Sequence, residues 1–400
     1  MNFLFIHQNF PGQFKHLAPA LAKAGHQVKA LTINPRSLEG VTVHSYQPKR
    51  SSSQHIHPWV VEFETKVIRG EACAMAAMQL KAAGFKPDRV IINPGWGEGL
   101  FLKDVWPDVR MLALYEFYYS AHGQDFNFDP EFTHYDITND AKLRCKNAHI
   151  LMALQDLDAG WSPTSYQHST LPSAYREHIK VVHDGIDTQH VKPDKSATLT
   201  WNNRVYSAGQ EIITFVNRNL EPLRGYHIFM RALPEILRSR PNAVALIIGG
   251  NGVSYGSAAP AGKTWKQIFL DEVKAQLDLD RVVFMDKVPY EDYLKVLQIS
   301  ACHVYFTYPF VLGWSCIEAM STGCLVVGSA TPPVQEVIQD GKNGLLVDFF
   351  DIPTLSKTVV DCLANPGHYL QLRSAARQAA VDQYDLSAIC LPQLLRLVLD

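Results

Sequence analysis

Hydrophobic positions along the chain fall in short runs that alternate with longer amphipathic segments. The apolar run at residues 2–6 predicts a strand. Residues 12–25 then space Phe14, Leu17 and Leu21 along one face of a helix, and a second apolar run follows them. A strand, a helix and a strand in this order form a βαβ unit, which predicts two neighbouring parallel strands.

The same alternation continues along the chain and predicts two series of strands. The further strands of the first series are expected at residues 88–95, 111–117, 149–154 and 178–185. The strands of the second series are expected at residues 211–216, 243–250, 282–286, 302–307 and 324–329, with helices between them. The pattern therefore predicts an α/β protein with two Rossmann-like domains in tandem, each built on a doubly wound parallel sheet.

Two domains also agree with the length of the chain. Its 400 residues exceed the size at which one hydrophobic core usually keeps growing. Residues 191–210 are polar and predict a linker or a surface excursion. We therefore expect an N-terminal domain at residues 1–190, a C-terminal domain at residues 211–380 and a helical tail at residues 381–400.

Charge and cysteine content exclude several classes of function. The formal net charge of -2 gives no bulk attraction to nucleic acid or to an anionic membrane, so any anion must be held by a local site. The 7 cysteines are scattered without zinc-type spacing, which suits a reducing compartment. The sequence predicts neither a signal peptide nor a membrane span. We expect a cytoplasmic protein with no nucleic-acid partner, whose membrane contact is at most peripheral.

Residues beyond the carboxyl ends of parallel strands are candidates for chemistry, because open sheets bind ligands there. Arg218 lies just past a predicted strand, and Arg224 lies at a predicted helix entrance. Two guanidiniums near a helix N-terminus suit a diphosphate, although two solvated surface arginines would give the same pattern. Gly12, after the first strand, either allows close approach of a phosphate or sugar or serves a tight turn.

Other motifs carry less weight. Gly250 and Gly252 begin a dinucleotide-like pattern, but the third glycine would fall on Tyr255, so a nicotinamide site is weakly supported. Two Asp-x-Asp strings are expected at helix starts, and we predict no metal ligands there. Glu318 opens a helix among apolar and small neighbours, where a carboxylate is costly unless it meets a hydrogen-bond donor.

Several segments resemble a known family in order and spacing. They are NRNLEPLRG at residues 217–225, IIGG at residues 247–250 and the long block at residues 282–351. These segments closely resemble the nucleotide-sugar-binding half of the retaining GT-B glycosyltransferases of the large family 4 group. The first domain resembles the same family more loosely, through NFPGQF and the segment at residues 181–191. The resemblance implies a GT-B architecture, in which two Rossmann-like domains face each other across a deep cleft.

The resemblance also implies how a nucleotide-sugar donor is held in the second domain. Arg218 and Arg224 are expected to bind the diphosphate and to act in catalysis by stabilising its charge as it leaves. Glu318 is expected to accept hydrogen bonds from the ribose hydroxyls, which would satisfy this carboxylate. The donor-binding residues are then expected to be Gly12, Asn217, Gly250, Asn251, Gly313, Trp314, Ser315 and Glu318.

The acceptor is expected in the first domain, against Glu98, Tyr118 and His122. Glu116 stands where family members usually carry a histidine, with His122 nearby. Glu116 is expected to contact the donor sugar or the acceptor, or to act as a base on the acceptor hydroxyl; the alternative is a strand-end carboxylate without a role. We expect no metal ion and no cofactor, because the two arginines would neutralise the diphosphate.

Two further departures from the family pattern bear on the donor. The position eight residues before Glu318, where family members usually carry a glutamate that touches the sugar, is Phe310. The usual Gly-Gly of a later loop is Pro332 and Pro333. The loss of the sugar-contacting glutamate leaves the identity of the donor sugar open, but it does not argue against nucleotide binding.

The sequence therefore predicts a retaining glycosyltransferase. It would move a sugar from a nucleoside diphosphate sugar to a carbohydrate, lipid-linked or other hydroxyl acceptor, in polysaccharide or glycoconjugate synthesis. Two alternatives stay open. A GT-B nucleotide-sugar epimerase would need acid and base groups near the sugar. A non-catalytic nucleotide-sugar-binding protein would bind the donor without consuming it, and a nicotinamide oxidoreductase is a more distant alternative.

Overall fold

The computed structural model describes residues 1–133 and 136–400. The chain divides into two compact units. The first unit comprises residues 1–184 together with residues 387–400, and the second comprises residues 185–386. Both units are α/β, so the two Rossmann-like domains predicted from the alternation of apolar runs are present.

The described part of the first unit contains a seven-stranded parallel sheet in the order β3-β2-β1-β4-β5-β6-β7. Its strands are β1 (Asn2–Ile6), β2 (Gln27–Thr32), β3 (Val41–Ser45), β4 (Arg89–Ile92), β5 (Arg110–Leu114), β6 (Ala159–Ser162) and β7 (Ile179–Val181). In β1, Phe3 and Phe5 belong to one core cluster, whereas Leu4 and Ile6 belong to another. The strand is a continuous apolar run because helices cover both faces of the sheet.

The helices of the first unit include α1 (Leu17–Lys23), α2 (Val61–Ala82), α3 (Leu102–Val105), α4 (Ile137–Lys146), α5 (Ala148–Gln155) and α6 (Ser165–Thr170). The strand predicted at residues 149–154 is wrong, because this segment forms most of α5. Its buried residues are His149, Ile150, Ala153 and Leu154, which share one face at helical spacing. The strand that enters the sheet is β6, a few residues later.

The second unit begins with a part of the chain that was predicted as a linker. Residues 191–210 instead include an antiparallel hairpin of β8 (Thr198–Trp201) and β9 (Arg204–Ser207). Both turn residues, Asn202 and Asn203, adopt the left-handed backbone conformation. This conformation at both central positions is typical of the two-residue turn that matches the twist of a hairpin.

The main sheet of the second unit has six parallel strands among the described residues, in the order β12-β11-β10-β13-β14-β15. Its strands are β10 (Ile212–Asn219), β11 (Val244–Gly250), β12 (Val282–Asp286), β13 (Cys302–Tyr305), β14 (Val326–Ser329) and β15 (Leu345–Val347). The helices that follow in this unit include α7 (Tyr226–Ser239), α8 (Trp265–Val273), α9 (Tyr290–Gln298), α10 (Trp314–Ser321), α11 (Pro332–Gln335), α12 (Ile352–Ala364) and α13 (Leu370–Tyr384).

The C-terminal tail is helical, as predicted, and its last part belongs to the first unit. The helix α14 (Leu391–Leu399) buries Leu394 and Val398 in the core cluster that also contains Phe3 and Phe5. The strand order places a switch point in each unit, between β1 and β4 in the first and between β10 and β13 in the second. Ligands of open parallel sheets bind at such points. Among the described residues, no helix is both long enough and apolar enough to cross a membrane.

Candidate functional site

Arg224 lies at the switch point of the second unit, in the turn Pro222–Arg224 that leads into α7. Its Nη1 donates to the hydroxyl of Thr307 at 2.8 Å and to the carbonyl oxygen of Val311 at 2.9 Å. Both acceptors follow β13, and the side chain of Arg224 is buried. Two hydrogen bonds to the neighbouring loop therefore fix the guanidinium at the carboxyl edge of the sheet.

Arg218 lies near the end of β10 and is exposed. Its guanidinium carbon lies 5.8 Å from the ring centre of Tyr255, and that of Arg224 lies 5.4 Å from the same ring. The described residues give the side chain of Arg218 no ion pair or hydrogen bond. The two guanidiniums predicted to form one site thus converge on Tyr255, and one of them keeps its donors available.

Phe310 occupies the position where the family usually has a glutamate. Its ring centre lies 5.2 Å from that of Tyr255 and 5.8 Å from the guanidinium carbon of Arg224. The side chain is buried. Phe310, Tyr255, Arg218 and Arg224 form a cluster, hereafter the aromatic–arginine cluster, in which aromatic faces rather than carboxylates accompany the cations.

Two polar side chains hold the loop that carries Tyr255. Asn219 accepts from the backbone N–H of Gly252 at 3.1 Å and donates to the hydroxyl of Ser254 at 2.7 Å. One oxygen of the buried Glu221 accepts from the backbone N–H groups of Ser254 and Gly256, each at 3.2 Å. The loop is therefore fastened on both sides of Tyr255.

Gly250 and Asn251, two of the predicted donor-binding residues, lie just before the part of this loop that Asn219 and Glu221 hold. A Cβ added to Gly250 would lie 2.7 Å from Oδ1 of Asn219, so the backbone here approaches the neighbouring loop closely. Asn251 is exposed. Both positions flank the aromatic–arginine cluster, and their contact with a donor stays a prediction.

Glu318 has two hydrogen-bond donors, and both are tyrosines. Its Oε1 accepts from the hydroxyl of Tyr290 at 2.6 Å, and its Oε2 accepts from the hydroxyl of Tyr293 at 2.6 Å. Burial, followed by the negative charge of Glu318, raises the pKa of both tyrosines, so both hydroxyls keep their protons. These two bonds explain how a buried carboxylate is tolerated among apolar neighbours.

A cavity of about 310 Å³ lies next to this pair at the carboxyl ends of β10, β11 and β12. The described residues that line it are Asn217, Arg218, Ile248, Asp286, Lys287, Val288, Tyr290 and Tyr293. Asn217 and Arg218, both predicted to serve the donor, thus form part of its wall. Glu318 is not among the residues that line the cavity, although both tyrosines that donate to its carboxylate are.

The predicted donor residues at the start of α10 are partly buried. The backbone N–H of Gly313 donates to the hydroxyl of Tyr305 at 2.8 Å. Trp314 packs against the core of the unit, and Ser315 follows it in the first turn. Pro332 and Pro333, the other departure from the family pattern, occupy the first turn of α11, where a missing N–H costs little.

Glu116 lies at the carboxyl edge of the first sheet, between two amide donors. Its Oε1 accepts from Nε2 of Gln13 at 2.7 Å, and its Oε2 accepts from Nδ2 of Asn93 at 2.8 Å. Gln13 follows β1 and Asn93 follows β4, so the donors come from the two strands at the switch point. Amide N–H groups only donate, and they therefore suit a carboxylate in its ionised form.

Gly12 packs directly on the ring of His7. Its backbone has a left-handed φ of 48°, and an added Cβ would lie 2.6 Å from the His7 ring. His7 is buried, and burial lowers the pKa of its imidazole to about 4. The tight turn and this packing account for the glycine, while a role in holding the donor stays a prediction.

The three predicted acceptor residues differ in accessibility. Glu98 is 0% exposed, and its Oε1 accepts from the hydroxyl of Tyr46. Burial raises the pKa of Glu98 to about 7. Glu98 is therefore not accessible from the surface in this conformation, and its contact with an acceptor stays a prediction. Tyr118 is partly buried against the core, and His122 is exposed on the following loop.

Comparison with known proteins supports the family predicted from the sequence. Residues 24–191 match the profile of the glycosyl transferase family 4 group, and residues 202–379 match the profile of glycosyl transferases group 1. The chain belongs to the group 1 glycosyltransferases. We therefore compare two features of the second unit with the donor site expected for this family. They are the aromatic–arginine cluster and the pair of tyrosines on Glu318.

Individual relatives resemble about half of the chain. A GDP-mannose-dependent alpha-(1-6)-phosphatidylinositol monomannoside mannosyltransferase of Mycolicibacterium smegmatis is 28% identical over 226 residues, covering 53% of each chain. Spore coat protein SA of Bacillus subtilis is 25% identical over 231 residues, covering 54% of this chain and 57% of that protein. The chain spans about half the length of the curated relatives it matches.

Solved structures match almost the whole chain. Sucrose-phosphate synthase from Thermosynechococcus elongatus superposes with a TM-score of 0.74 at 19% identity, covering 99% of this chain and 98% of that one. HepE of Anabaena, solved with UDP-glucose, superposes with a TM-score of 0.68 at 15% identity, covering 99% of each chain. The fold of this group 1 glycosyltransferase is thus the GT-B fold predicted from the sequence.

Sequence reasoning missed several residues of the site that the structure brings together. Tyr290 and Tyr293 lie three residues apart at the start of α9, so they share a helix face, and that spacing was the available signal. Gln13 and Asn93 both lie in strand-end loops, yet their convergence on Glu116 depends on the order of the strands. Tyr255 was considered only as a break in a glycine pattern.

Proposed function

We propose that this protein is a retaining glycosyltransferase that moves a sugar from a nucleoside diphosphate sugar to an acceptor hydroxyl. The observation that carries the proposal is the convergence of Arg218 and Arg224 on Tyr255 beside the cavity of the second unit. Arg224 supplies a fixed guanidinium and Arg218 an exposed one, and both are fork-shaped donors that suit phosphate oxygens. The cavity next to them offers room for the nucleoside that such a diphosphate carries.

The arginines would supply the main catalytic effect. Cleavage of the bond between the sugar and the diphosphate leaves negative charge on the leaving group, which both guanidiniums would stabilise. Arg224 is held in place before the reaction by Thr307 and Val311, so little reorganisation is needed. We propose that these cations make a metal ion unnecessary for the transfer.

Glu116 is the proposed polar group for the incoming hydroxyl or the donor sugar. Gln13 and Asn93 each donate to one of its oxygens, which fixes the orientation of the carboxylate. A carboxylate held in this way would either orient an acceptor hydroxyl or accept its proton. The acceptor itself would be a carbohydrate, a lipid-linked molecule or another hydroxyl compound, in polysaccharide or glycoconjugate synthesis.

Two relatives support a nucleotide-sugar donor without fixing its base. The mycobacterial relative is named as GDP-mannose-dependent, and the Anabaena structure contains UDP-glucose. The enzyme would therefore use a nucleoside diphosphate sugar, and the base is left to the experiment.

Product analysis tests the proposal. The full chain is incubated with UDP-, GDP- and ADP-linked sugars and a panel of glycoside and lipid-linked acceptors, and the products are followed by NMR. Release of nucleoside diphosphate together with a new glycosidic bond of the donor's anomeric configuration supports the proposal. An inverted bond, a released epimer, or tight donor binding without any product would overturn it, the last two in favour of the epimerase and the binding protein.

A further inference from the structure

Tyr290 and Tyr293 make the same hydrogen bond to Glu318 but differ in their freedom to move. Tyr293 is 8% exposed and belongs to the hydrophobic core of the second unit. Tyr290 is 47% exposed and begins α9, with its ring stacked on that of His190 at 6.3 Å. The hydroxyl of Tyr293 is therefore fixed by packing, whereas that of Tyr290 can leave Glu318 at small cost to the core.

The two tyrosines also connect Glu318 with the cavity. Both line the cavity, whereas Glu318 does not. Each occupies one carboxylate oxygen at 2.6 Å, and Glu318 is only 7% exposed. A hydroxyl group of a ligand in the cavity can reach Oε1 most directly by taking the place of the Tyr290 hydroxyl.

We propose that Tyr290 is a displaceable gate, whose hydroxyl occupies Oε1 of Glu318 until a ligand hydroxyl replaces it. Tyr293 is the residue that positions the Glu318 carboxylate. In the free protein the hydroxyl of Tyr290 stands in for a ligand hydroxyl at Oε1. A ligand with vicinal hydroxyls, the ribose of a nucleoside diphosphate, displaces it, while Tyr293 keeps Oε2 in place. This inference rests on the proposed function, because it requires that a nucleotide enters the cavity.

The gate has a cost and a benefit that follow from the hydrogen bonds. The ligand hydroxyl replaces an existing hydrogen bond instead of adding one, so the apparent affinity is lowered by the competition. The same bond satisfies a buried carboxylate whenever the cavity is empty. A ligand without ribose hydroxyls leaves the Tyr290 bond in place, so the gate weakens binding of ribonucleotides and has little effect on such a ligand.

The proposal predicts opposite effects of two similar variants. Tyr290→Phe removes the competitor and should tighten binding of a ribonucleoside diphosphate by about 3- to 10-fold, the factor for one net hydrogen bond. Binding of the 2′,3′-dideoxy analogue should change less than about 2-fold, since it makes no bond at that atom. Tyr293→Phe frees Glu318 to turn, and should lower the preference for the ribonucleotide over the dideoxy analogue.

The experiment is isothermal titration calorimetry of the full chain with UDP, GDP and ADP, and then with the dideoxy analogue of the one that binds. Tyr369→Phe is the matched control, because it removes another tyrosine-to-carboxylate bond of the same unit, to Asp361, away from the cavity. Thermal unfolding checks that each variant is folded. If Tyr293→Phe does not fold, the ratio of ribonucleotide to dideoxy affinity in Tyr290→Phe still decides.

Tighter ribonucleotide binding by Tyr290→Phe, with unchanged dideoxy binding, is the expected result. Weaker or unchanged ribonucleotide binding by Tyr290→Phe would overturn the proposal. The Tyr290 hydroxyl would then either support binding or have no effect on it. An equal gain for both ligands would also overturn it, because the effect would then not involve the ribose hydroxyls. If the wild-type chain binds none of the three nucleotides, the proposed function fails instead, and the two failures are distinct.

Discussion

The guanidinium carbon of Arg224 lies 5.8 Å from the centre of the Phe310 ring. A glutamate is usual at this position in the family, and it would bring a negative charge close to Arg224. The phenylalanine brings no charge next to Arg224 and packs against Tyr255 instead. We therefore expect the departure at residue 310 to favour binding of an anion at Arg224, whatever its effect on the choice of sugar.

Phe310→Glu should weaken binding of a nucleoside diphosphate by about 5- to 30-fold, because a new carboxylate next to Arg224 competes with the ligand for the guanidinium. Phe310→Leu is the control, since it keeps the position apolar and should change affinity less than about 3-fold. Calorimetry on both variants measures the effect. Equal affinity of Phe310→Glu and the wild-type chain would show that residue 310 lies outside the reach of the diphosphate.

Arg218 and Arg224 should differ in their contribution to stability. Arg224→Ala leaves the buried Thr307 hydroxyl and the Val311 carbonyl without their donor, and should lower the free energy of unfolding by about 2–4 kcal/mol. Arg218→Ala removes an exposed side chain and should change it by less than about 0.5 kcal/mol. Urea unfolding measures both, with Arg238→Ala as an exposed control. A large loss in Arg218→Ala would mean that Arg218 serves the fold.

Glu116→Gln should lower the rate of sugar transfer by about 100-fold or more, because the base or orienting carboxylate is lost. The new amide also directs an N–H at one of two donors, Gln13 or Asn93. Gln13→Ala keeps the carboxylate and removes one of its supports, so it should lower kcat by about 10-fold. Steady-state kinetics with a saturating donor measure kcat for both variants. A wild-type rate in Glu116→Gln would remove Glu116 from the mechanism.

Glu98 should make stability depend on pH. Its pKa is raised by burial from 4.5 to about 7. Below pH 4.5 the carboxyl is protonated in both the folded and the unfolded chain. Between pH 4.5 and 7 the unfolded chain loses its proton first, so the free energy of unfolding falls as the pH rises, and above pH 7 the loss is complete.

Glu98→Gln should remove this dependence and raise the free energy of unfolding at pH 8 by about 1–3 kcal/mol. The amide oxygen can still accept from the hydroxyl of Tyr46, so packing is kept. Urea unfolding at pH 5 and pH 8 measures the change, with Glu39→Gln at an exposed position as the control. A variant that is less stable than the wild-type chain at pH 8 would contradict a buried carboxyl with a raised pKa.

The sequence was sufficient for the parts of the fold that depend on local patterns. Strands such as β1 are continuous apolar runs because both faces of a parallel sheet are covered, and their ends marked where Arg218 and Glu116 would lie. The strand predicted at residues 149–154 was wrong for a related reason, since a short apolar run does not distinguish a buried strand from a buried helix. The hairpin at β8 and β9 carried a signal in Asn202 and Asn203.

The partners within the site could not be predicted in the same way. Tyr293 meets Glu318 across 25 residues, and Gln13 meets Glu116 across 103 residues. Such contacts depend on the order of strands in each sheet and on the packing of helices against them. The burial of Glu98 has the same origin. Its partner Tyr46 directly follows β3, and β3 takes its place beside the other strands only in the assembled sheet.

The central claim is that a nucleoside diphosphate binds at Arg218 and Arg224. Thermal unfolding of the wild-type chain and of Arg218→Ala, with UDP, GDP, ADP and NAD in turn, tests it most directly. One nucleoside diphosphate, at 100 times its Kd, should stabilise the wild-type chain by about 2.7 kcal/mol and leave Arg218→Ala almost unchanged. Stabilisation by none of the three, or equal stabilisation of both proteins, would contradict the claim.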